Sequence, residues 1–361
     1  MPEAYRKLDV VISPSYPKEQ DMSMKFNGLR IVAACAAIIT ITALARPVKA
    51  GGVSADTLAL FPKDTGEIGY VDLKKARGEK WFPALREQIL PDRFRQFEKF
   101  LASAGVDPNS QVDELVWGLV PESTTKNDNG VSTDIPSSEM TVGIAMGNYN
   151  PETTEAYFKQ QNLSMTQLGN YTLFAFGSGS GATDLFFFFL DSSKAVFGHK
   201  PLLEKLLDIH MGKQDGLLRN DQMYNRINEV NGSSVVWAVL DAGYTRLAMQ
   251  QLAPEVQQFP EAAALVQRMQ AMIITANASS GVDSKFQAVC ASTGDANTLS
   301  QLMSAGLLLK KYQASKDNPD LAQLLDQANI SPSGDRVVVA LSVSDDQMTS
   351  LIQRNTFSLK M

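Results

Sequence analysis

The chain has 361 residues, with 33 Lys and Arg against 39 Asp and Glu, and a formal net charge of −6. Residues 1–50 contain seven Lys or Arg and four Asp or Glu, so the remaining 311 residues carry a net charge of −9. This excess of negative charge disfavours binding to nucleic acids and to anionic membrane surfaces, because both are negatively charged.

The segment Met24–Ala50 has the three parts of a secretory signal peptide. Lys25 and Arg30 form a basic start, and the uncharged, mostly apolar run Ile31–Ala45 follows. A membrane-spanning helix needs about 20 apolar residues, so a run of 15 is typical of a signal-peptide core. The sequence therefore predicts a periplasmic or secreted bacterial protein without a stable membrane span after cleavage.

The cleavage site is expected after Ala50, because Val48 and Ala50 supply the small residues that signal peptidases select. Two alternatives remain: retention of the segment as an anchor, and lipidation of Cys35, since 32–35 reads Val-Ala-Ala-Cys. The first 23 residues are expected to be an extended leader or an upstream mis-start.

Cys290 is the one cysteine after residue 50, so the mature chain has no internal disulfide. It lies in an alternating segment and is expected to be a small buried apolar residue. No cofactor is expected, because no cofactor-binding motif is present.

Alternating apolar residues predict strands along the whole mature chain. The predicted strands are Glu67–Leu73, Glu114–Val120, Met140–Met146, Tyr171–Phe176, Leu185–Leu190, Ala195–Phe197, Val235–Leu240, Met272–Ala278, Phe286–Ala291 and Arg336–Val343.

Helical periodicity and start signals predict helices between these strands. They are expected after Pro91, over Thr154–Gln161, after Pro201, and over Glu255–Met269, Asp295–Tyr312 and Asp320–Gln327. In the helix over Asp295–Tyr312, one apolar face is expected to contain Leu299, Leu302, Met303, Gly306 and Leu309.

The order of these elements predicts an α+β fold. Strand, helix, strand, strand, helix, strand occurs over Glu67–Phe176 and again over Val235–Val343, which is the order of a ferredoxin-like split β-α-β unit. We therefore expect two pseudo-repeats with antiparallel-rich sheets backed by helices. The expected units are a leader (1–50), a first lobe (51–232) and a second lobe (233–361), with 185–230 as the joining insertion.

Four consecutive phenylalanines, Phe186–Phe189, lie within one predicted strand. Side chains alternate along a strand, so both of its faces are apolar. One interpretation is a central strand covered on both sides. The other is an apolar ligand groove or a subunit interface. The candidate ligand-binding residues are Phe174, Phe176, Phe186, Phe187, Phe188 and Phe189.

Other candidate sites have structural interpretations. The Gly-rich run 177–184 is followed by a strand, which favours a hairpin connection over a phosphate loop. His199 and His210 are too far apart for a helical zinc pair and are expected to be exposed, so no metal is expected. The polar segment 121–139 is interpreted as a solvated loop with recognition as an alternative.

Pairs of carboxylates are the remaining candidates for hydrolytic groups. Asp113 and Glu114 are adjacent on a strand and should point to opposite faces, whereas Asp345 and Asp346 suit the start of a helix. Tyr70 and Asp72 share a strand face. None of these pairs predicts a catalytic site, and the catalytic residues stay unknown.

Two segments resemble exported bacterial proteins of unknown function. Ala55–Pro62 with Gly69–Leu73, and Gly105–Pro108 with Val112–Leu115, are similar to their "ADT…YVDL…GVDP" pattern. The resemblance implies a secreted bacterial module and no catalytic residues.

The leading hypothesis is an exported, non-enzymatic binding or envelope-assembly protein with an unknown protein or an apolar ligand as partner. The first alternative is a carrier of an apolar ligand that uses the Phe-rich sheet surface. The second is a hydrolase without a recognisable motif.

Overall fold

The computed structural model describes residues 52–89, 92–122, 139–177, 179–181, 184–252, 256, 258–278, 281–317 and 319–354. The leader with its Ala50 cleavage site, and most of the 121–139 loop, lie outside these residues. The helices are α1 (Ala55–Ala59), α2 (Leu73–Ala76), α3 (Phe82–Ile89), α4 (Asp92–Ser103), α5 (Pro151–Gln160), α6 (Lys200–His210), α7 (Asp221–Val230), α8 (Ala242–Leu252), α9 (Pro260–Gln267), α10 (Thr293–Asp317), α11 (Pro319–Asp326) and α12 (Asp345–Gln353).

Twelve strands within the described residues form one antiparallel sheet. They are β1 (Glu67–Asp72), β2 (Val112–Pro121), β3 (Glu139–Gly147), β4 (Met165–Leu168), β5 (Tyr171–Phe176), β6 (Leu185–Asp191), β7 (Lys194–His199), β8 (Val236–Leu240), β9 (Ala271–Ala278), β10 (Gly281–Val289), β11 (Asn329–Ser333) and β12 (Arg336–Ser344). Their order across the sheet is β11-β12-β10-β9-β8-β1-β2-β3-β7-β6-β5-β4.

Both faces of the sheet are covered by helices. On one face, β1, β2, β6 and β8 contribute to a single apolar cluster that also contains Leu58 of α1, Leu203 of α6 and Ile227 of α7. On the other face, Phe158 of α5 packs over β5 and β6, and Leu351 of α12 belongs to the cluster over β8–β12. Internal strands such as β6 and β8 are therefore apolar on both sides, because both sides are removed from water.

Local sequence signals explain where several helices begin and end. Asn150 caps α5 through a hydrogen bond from the Thr153 amide, and Pro151 occupies the first turn. Ser344 and Gln347 form a capping box at the start of α12. Gly105, with φ of 81°, follows the end of α4, where a left-handed residue ends a helix at little cost.

The prediction of an α+β fold rich in antiparallel strands is confirmed, and the strands are joined in one large sheet. All ten predicted strands are present, and the segments Met165–Leu168 and Asn329–Ser333 add the strands β4 and β11. The sequence does not predict these two strands, because they are short and mostly exposed or half-exposed and therefore lack an apolar alternation. Within Ala55–Pro62, the first residues form α1, capped by Ser54.

The prediction of two ferredoxin-like repeats is not confirmed. The strands on either side of a helix in a β-α-β unit run parallel, whereas β1 and β2, which flank α2–α4, are direct antiparallel neighbours. A simpler repetition is present. The order strand, helices, strand, strand, helix begins at β1 and again at β8, and these two strands pair at the centre of the sheet.

The expected boundary between residues 232 and 233 lies in the turn between α7 and β8. Contacts cross it: β1 pairs with β8, and the Trp81 indole donates a hydrogen bond to Asp345 in α12 at 3.0 Å. The division into two folding units stays a prediction.

We expect Gly69→Ala to lower the free energy of unfolding by about 1–3 kcal/mol, because the Trp117 ring occupies the space that a Cβ at position 69 would need. Gly306→Ala in α10 is the matched control. Apart from the neighbouring backbone of its own helix, no atom lies within 4 Å of its added Cβ, and a helical Gly→Ala change should raise stability by about 0.5–1 kcal/mol. Urea unfolding of both variants measures the two effects, and a stable Gly69→Ala variant would contradict this packing.

Candidate functional site

All six candidate phenylalanines are buried. Phe186 and Phe188 face the cluster formed with α6, whereas Phe187 and Phe189 face the cluster formed with Phe158 of α5. The predicted alternation is confirmed, and β6 is an internal strand between β5 and β7.

The rings on the α5 side pack against one another. The ring centroids of Phe174 and Phe187 are 5.0 Å apart, those of Phe176 and Phe187 are stacked at 4.9 Å, and Phe158 meets Phe174 edge-on at 4.8 Å. Such pairs stabilise a core beyond simple area burial. A ligand could reach these rings only if the covering helices moved, so ligand binding here stays a prediction.

The expectation that both histidines are exposed is wrong for His199. Its ring is buried, and its Nδ1 accepts a hydrogen bond from the Thr141 amide at 2.9 Å. Burial lowers the pKa of His199, and the Thr141 carbonyl, 3.4 Å from the same Nδ1, acts in the opposite direction. The side chain therefore joins β7 to β3 as a neutral structural group. His210, at the end of α6, is exposed.

Two other expectations are confirmed. Cys290 is buried, and burial raises the pKa of its thiol, which makes the thiolate scarce. The Gly-rich segment connects the antiparallel strands β5 and β6, and the Asp184 carboxylate accepts a hydrogen bond from the Gly181 amide at 2.9 Å. The segment is therefore a hairpin connection, and Asp184 stabilises it through this hydrogen bond.

The carboxylates on β2 are separated, as expected for adjacent strand residues. Asp113 contacts Arg77 and Lys74, both at 3.4 Å. Glu114 lies beside Tyr70 and Asp72, and burial together with the Asp72 charge raises its pKa. The structure therefore brings Glu114 to the Tyr70–Asp72 face, where Asp72 also forms an ion pair with Lys75 at 3.0 Å.

A buried acidic residue that the sequence did not reveal lies at the start of β1. Glu67 is fully buried, and its Oε1 accepts a hydrogen bond from the Trp117 indole at 3.3 Å. Its Oε2 has no hydrogen-bond partner among the described residues. Asp241 follows the neighbouring strand β8 and accepts a hydrogen bond from the Tyr244 amide at 2.9 Å.

The charges around Glu67 have the same sign. Burial raises the pKa of Glu67 well above its usual value, and the negative charges of Glu139 and Asp241 raise it further, against the effect of the Trp117 bond. The Asp241 pKa is also raised by burial. Glu67 is therefore a buried acid that favours its neutral form, and its full burial leaves no access for a substrate.

A shallow depression lies between the start of β1 and α6–α7, lined by Lys63, Asp64, Lys205, Arg219 and Asn220. Lys205 pairs with Asp64 at 2.7 Å, and Lys63 lies 3.9 Å from Asp215. These lysines face carboxylates, so the depression offers no concentrated positive charge for an anion.

The most unusual surface in the described part of the chain is on α10. Its side chains Leu302, Ala305, Leu308, Leu309 and Tyr312 are exposed, and we call this set the α10 stripe. The exposed fractions of Leu308, Leu309 and Tyr312 are 67%, 58% and 62%. Leu321 of α11 is also exposed.

The α10 stripe corrects the predicted apolar face of this helix. Leu299 is buried and Met303 partly buried, but Leu302, Gly306 and Leu309 are exposed. The helix packs through Ala296, Leu299 and Ala314, so a second apolar face remains on its outer side. The sequence contains apolar residues around most of the helix, and only the packing distinguishes the two faces.

Comparison with known proteins finds similarity to solved structures alone. Crystal form I of TP0453 has a TM-score of 0.46 at 12% sequence identity, over 85% of this chain and 99% of that chain. Crystal form III has a TM-score of 0.47 at 12% identity over 83% and 99%, and crystal form IV has 0.44 at 13% over 83% and 97%. No protein-family model and no curated protein sequence matches the chain.

Two further findings concern the described residues. None of their helices combines the length and hydropathy that crossing a membrane requires. They also contain no cluster of three or more His, Cys, Asp or Glu side chains arranged to hold a metal ion.

We expect Glu67→Gln to stabilise the protein at pH 8 and to have little effect near pH 4. Because the folded pKa of Glu67 is raised, its contribution to stability is fully present below the unfolded pKa of about 4.3 and is lost as the pH rises through the folded pKa. Glutamine keeps an acceptor for Trp117 and removes the charge.

Urea unfolding across this pH range measures the effect, with Glu204→Gln on the exposed side of α6 as the control. A difference between Glu67→Gln and the parent protein that is constant from pH 4 to pH 8 would contradict the inferred titration.

Proposed function

We propose that this chain is an exported, non-enzymatic binding or envelope-assembly protein that contacts its partner through the α10 stripe. The leader-like segment Met24–Ala50 supports export. The exposed apolar side chains on one helix face carry the proposal of a contact surface.

Exposed apolar side chains are common when scattered and informative when clustered. Seven large apolar side chains are exposed in the described part of the chain, and five of them lie between Leu302 and Leu321. When a partner covers such a side chain, the association is stabilised by about 25 cal/mol for each Å² of apolar area removed from water. A surface with this composition favours association.

The alternative functions receive less support. A carrier that uses the Phe-rich strand would need an opening between the sheet and the helices that cover it, and all six phenylalanines are buried, two in the core on one face and four in the core on the other. A hydrolase would need polar groups that converge in an accessible cleft, and the buried Glu67 lacks that access.

For export, we expect the full-length chain produced in a bacterial host to be recovered outside the cytoplasm with Gly51 as its first residue. Ala50→Phe should block processing, because the cleavage site needs a small side chain at this position. Lys49→Ser is the control and should be processed normally. N-terminal sequencing and intact mass measure the outcome, and an unprocessed chain or one that begins at Cys35 would contradict it.

For the contact surface, we expect the processed protein to sediment with the cell envelope after osmotic lysis. For the double variant Leu308→Ser/Leu309→Ser, the soluble fraction should contain at least tenfold more protein than for the parent, because serine replaces two exposed leucines of the contact surface. The control Met211→Ser/Phe259→Ser changes side chains that are 57% and 61% exposed but lie elsewhere. Equal sedimentation of the two double variants would contradict the proposal.

A further inference from the structure

The two outermost strands of the sheet differ in how their open sides are protected. β11 lies at one end of the sheet and β4 at the other, so each has one side without a neighbouring strand among the described residues. An open side can pair with a strand of another chain, and proteins usually prevent this with proline, charged side chains or a bulge. The residues of each edge strand therefore show whether pairing is blocked.

The open side of β11 is blocked by Pro332. The hairpin of β11 and β12 pairs Ser333 with Arg336 across a two-residue loop, and such a turn is closed by a hydrogen-bonded pair. Hydrogen-bonded and non-bonded pairs alternate along an antiparallel ladder, so the backbone nitrogen of Pro332 points to the open side. Because proline has no N–H, this edge lacks a donor at that position.

The open side of β4 has its donors and acceptors in place. The Ser164 carbonyl accepts a hydrogen bond from the Ala175 amide of β5 at 3.1 Å. By the same alternation, Thr166 bonds with β5, whereas the N–H and C=O groups of Met165 and Gln167 point away from the sheet. No strand among the described residues pairs with these groups. An added strand could therefore bond with β4 at both residues.

This edge lies in the longest uncharged run of the chain. Residues 160–183 contain no Lys, Arg, Asp or Glu, although 20% of the residues in the chain are charged. The neighbouring Lys159 forms an ion pair with Glu155 at 2.6 Å. An acidic chain repels its own copies, so an uncharged segment is where two copies can approach without facing like charges.

Apolar side chains flank the β4 edge on both faces of the sheet. Met165 is half-buried against the cluster that contains Phe158, and Leu168 and Tyr171 are half-buried against the cluster on the other face. A strand added beside β4 would cover their exposed parts and extend both clusters. Backbone pairing and apolar burial therefore favour the same contact.

The groups on the open side are arranged symmetrically about Thr166. When a second copy lies antiparallel with its Thr166 opposite Thr166, Met165 of each copy faces Gln167 of the other, and the N–H and C=O groups bond in both directions. We propose that two copies of this chain pair through β4, so that their sheets join across a two-fold axis at Thr166.

The proposed pairing does not involve the α10 stripe. The helix α10 packs against β11, and β11 and β4 lie at opposite ends of the sheet. Variants of one surface therefore leave the other intact.

Sedimentation equilibrium of the processed protein over a range of concentrations measures the association, and we expect an equilibrium between monomer and dimer. Thr166→Lys places two like charges directly opposite each other and should raise the dissociation constant roughly fivefold. Ser331→Lys adds a lysine to the exposed β11 edge and is the control, which should leave the dissociation constant unchanged.

A pair of opposite charges tests the register. Thr166→Glu alone should also weaken the dimer, whereas a mixture of Thr166→Glu and Thr166→Lys should associate again, because the mixed dimer has opposite charges at the axis. Far-UV circular dichroism checks that each variant is folded. In the parent protein, hydrogen exchange at the amides of Met165 and Gln167 should slow as the protein concentration rises.

A protein that is monomeric at every concentration would overturn the inference, and the edge would then be left to an extended segment of another protein. Dimers that Thr166→Lys leaves unchanged would also overturn it. If Leu308→Ser/Leu309→Ser alone dissociates those dimers, the interface is the α10 stripe. Folded Thr166→Glu and Thr166→Lys variants that do not associate when mixed would contradict the pairing of Thr166 with its copy.

Discussion

The pairing of β1 with β8 is the contact on which the rest of the structure depends. It joins strands that are far apart in the chain and makes one sheet from the elements on either side of residue 232. Tyr70 lies directly opposite Trp237, and their rings stack at 5.6 Å between centroids. Trp117 covers the backbone at Gly69 and donates to Glu67, so the same strand has close packing on both faces.

A sheet that is buried on both faces requires helices on both faces, because its apolar side chains must be removed from water. The helices α6 and α7 cover one side, and α5, α8 and α12 contribute to the other. The helix α10 fulfils this requirement with its inner face and keeps apolar residues on its outer face. The proposed contact surface therefore consists of apolar residues of α10 that do not pack in the core.

The sequence predicts the positions of the strands, but it does not predict which polar side chains are buried. The strand Tyr171–Phe176 was predicted with its observed bounds, and the alternation of Phe186–Phe189 was predicted correctly, because period-2 patterns are local. The burial of His199 depends on Thr141, which is 58 positions away. The raised pKa of Glu67 depends on Glu139 and Asp241, which no local pattern connects to it.

The sequence by itself determined the alternation of elements, the caps at Asn150 and Ser344, and the apolar character of β6, since each depends on residues close together in the chain. Only the tertiary structure decided that the halves share one sheet, that Glu67 is buried under the influence of the charges of Glu139 and Asp241, and that Leu308 and Leu309 face outward. The physical reason is that burial and strand pairing depend on which distant segments meet, and a helix with apolar residues on two faces can satisfy the core with either.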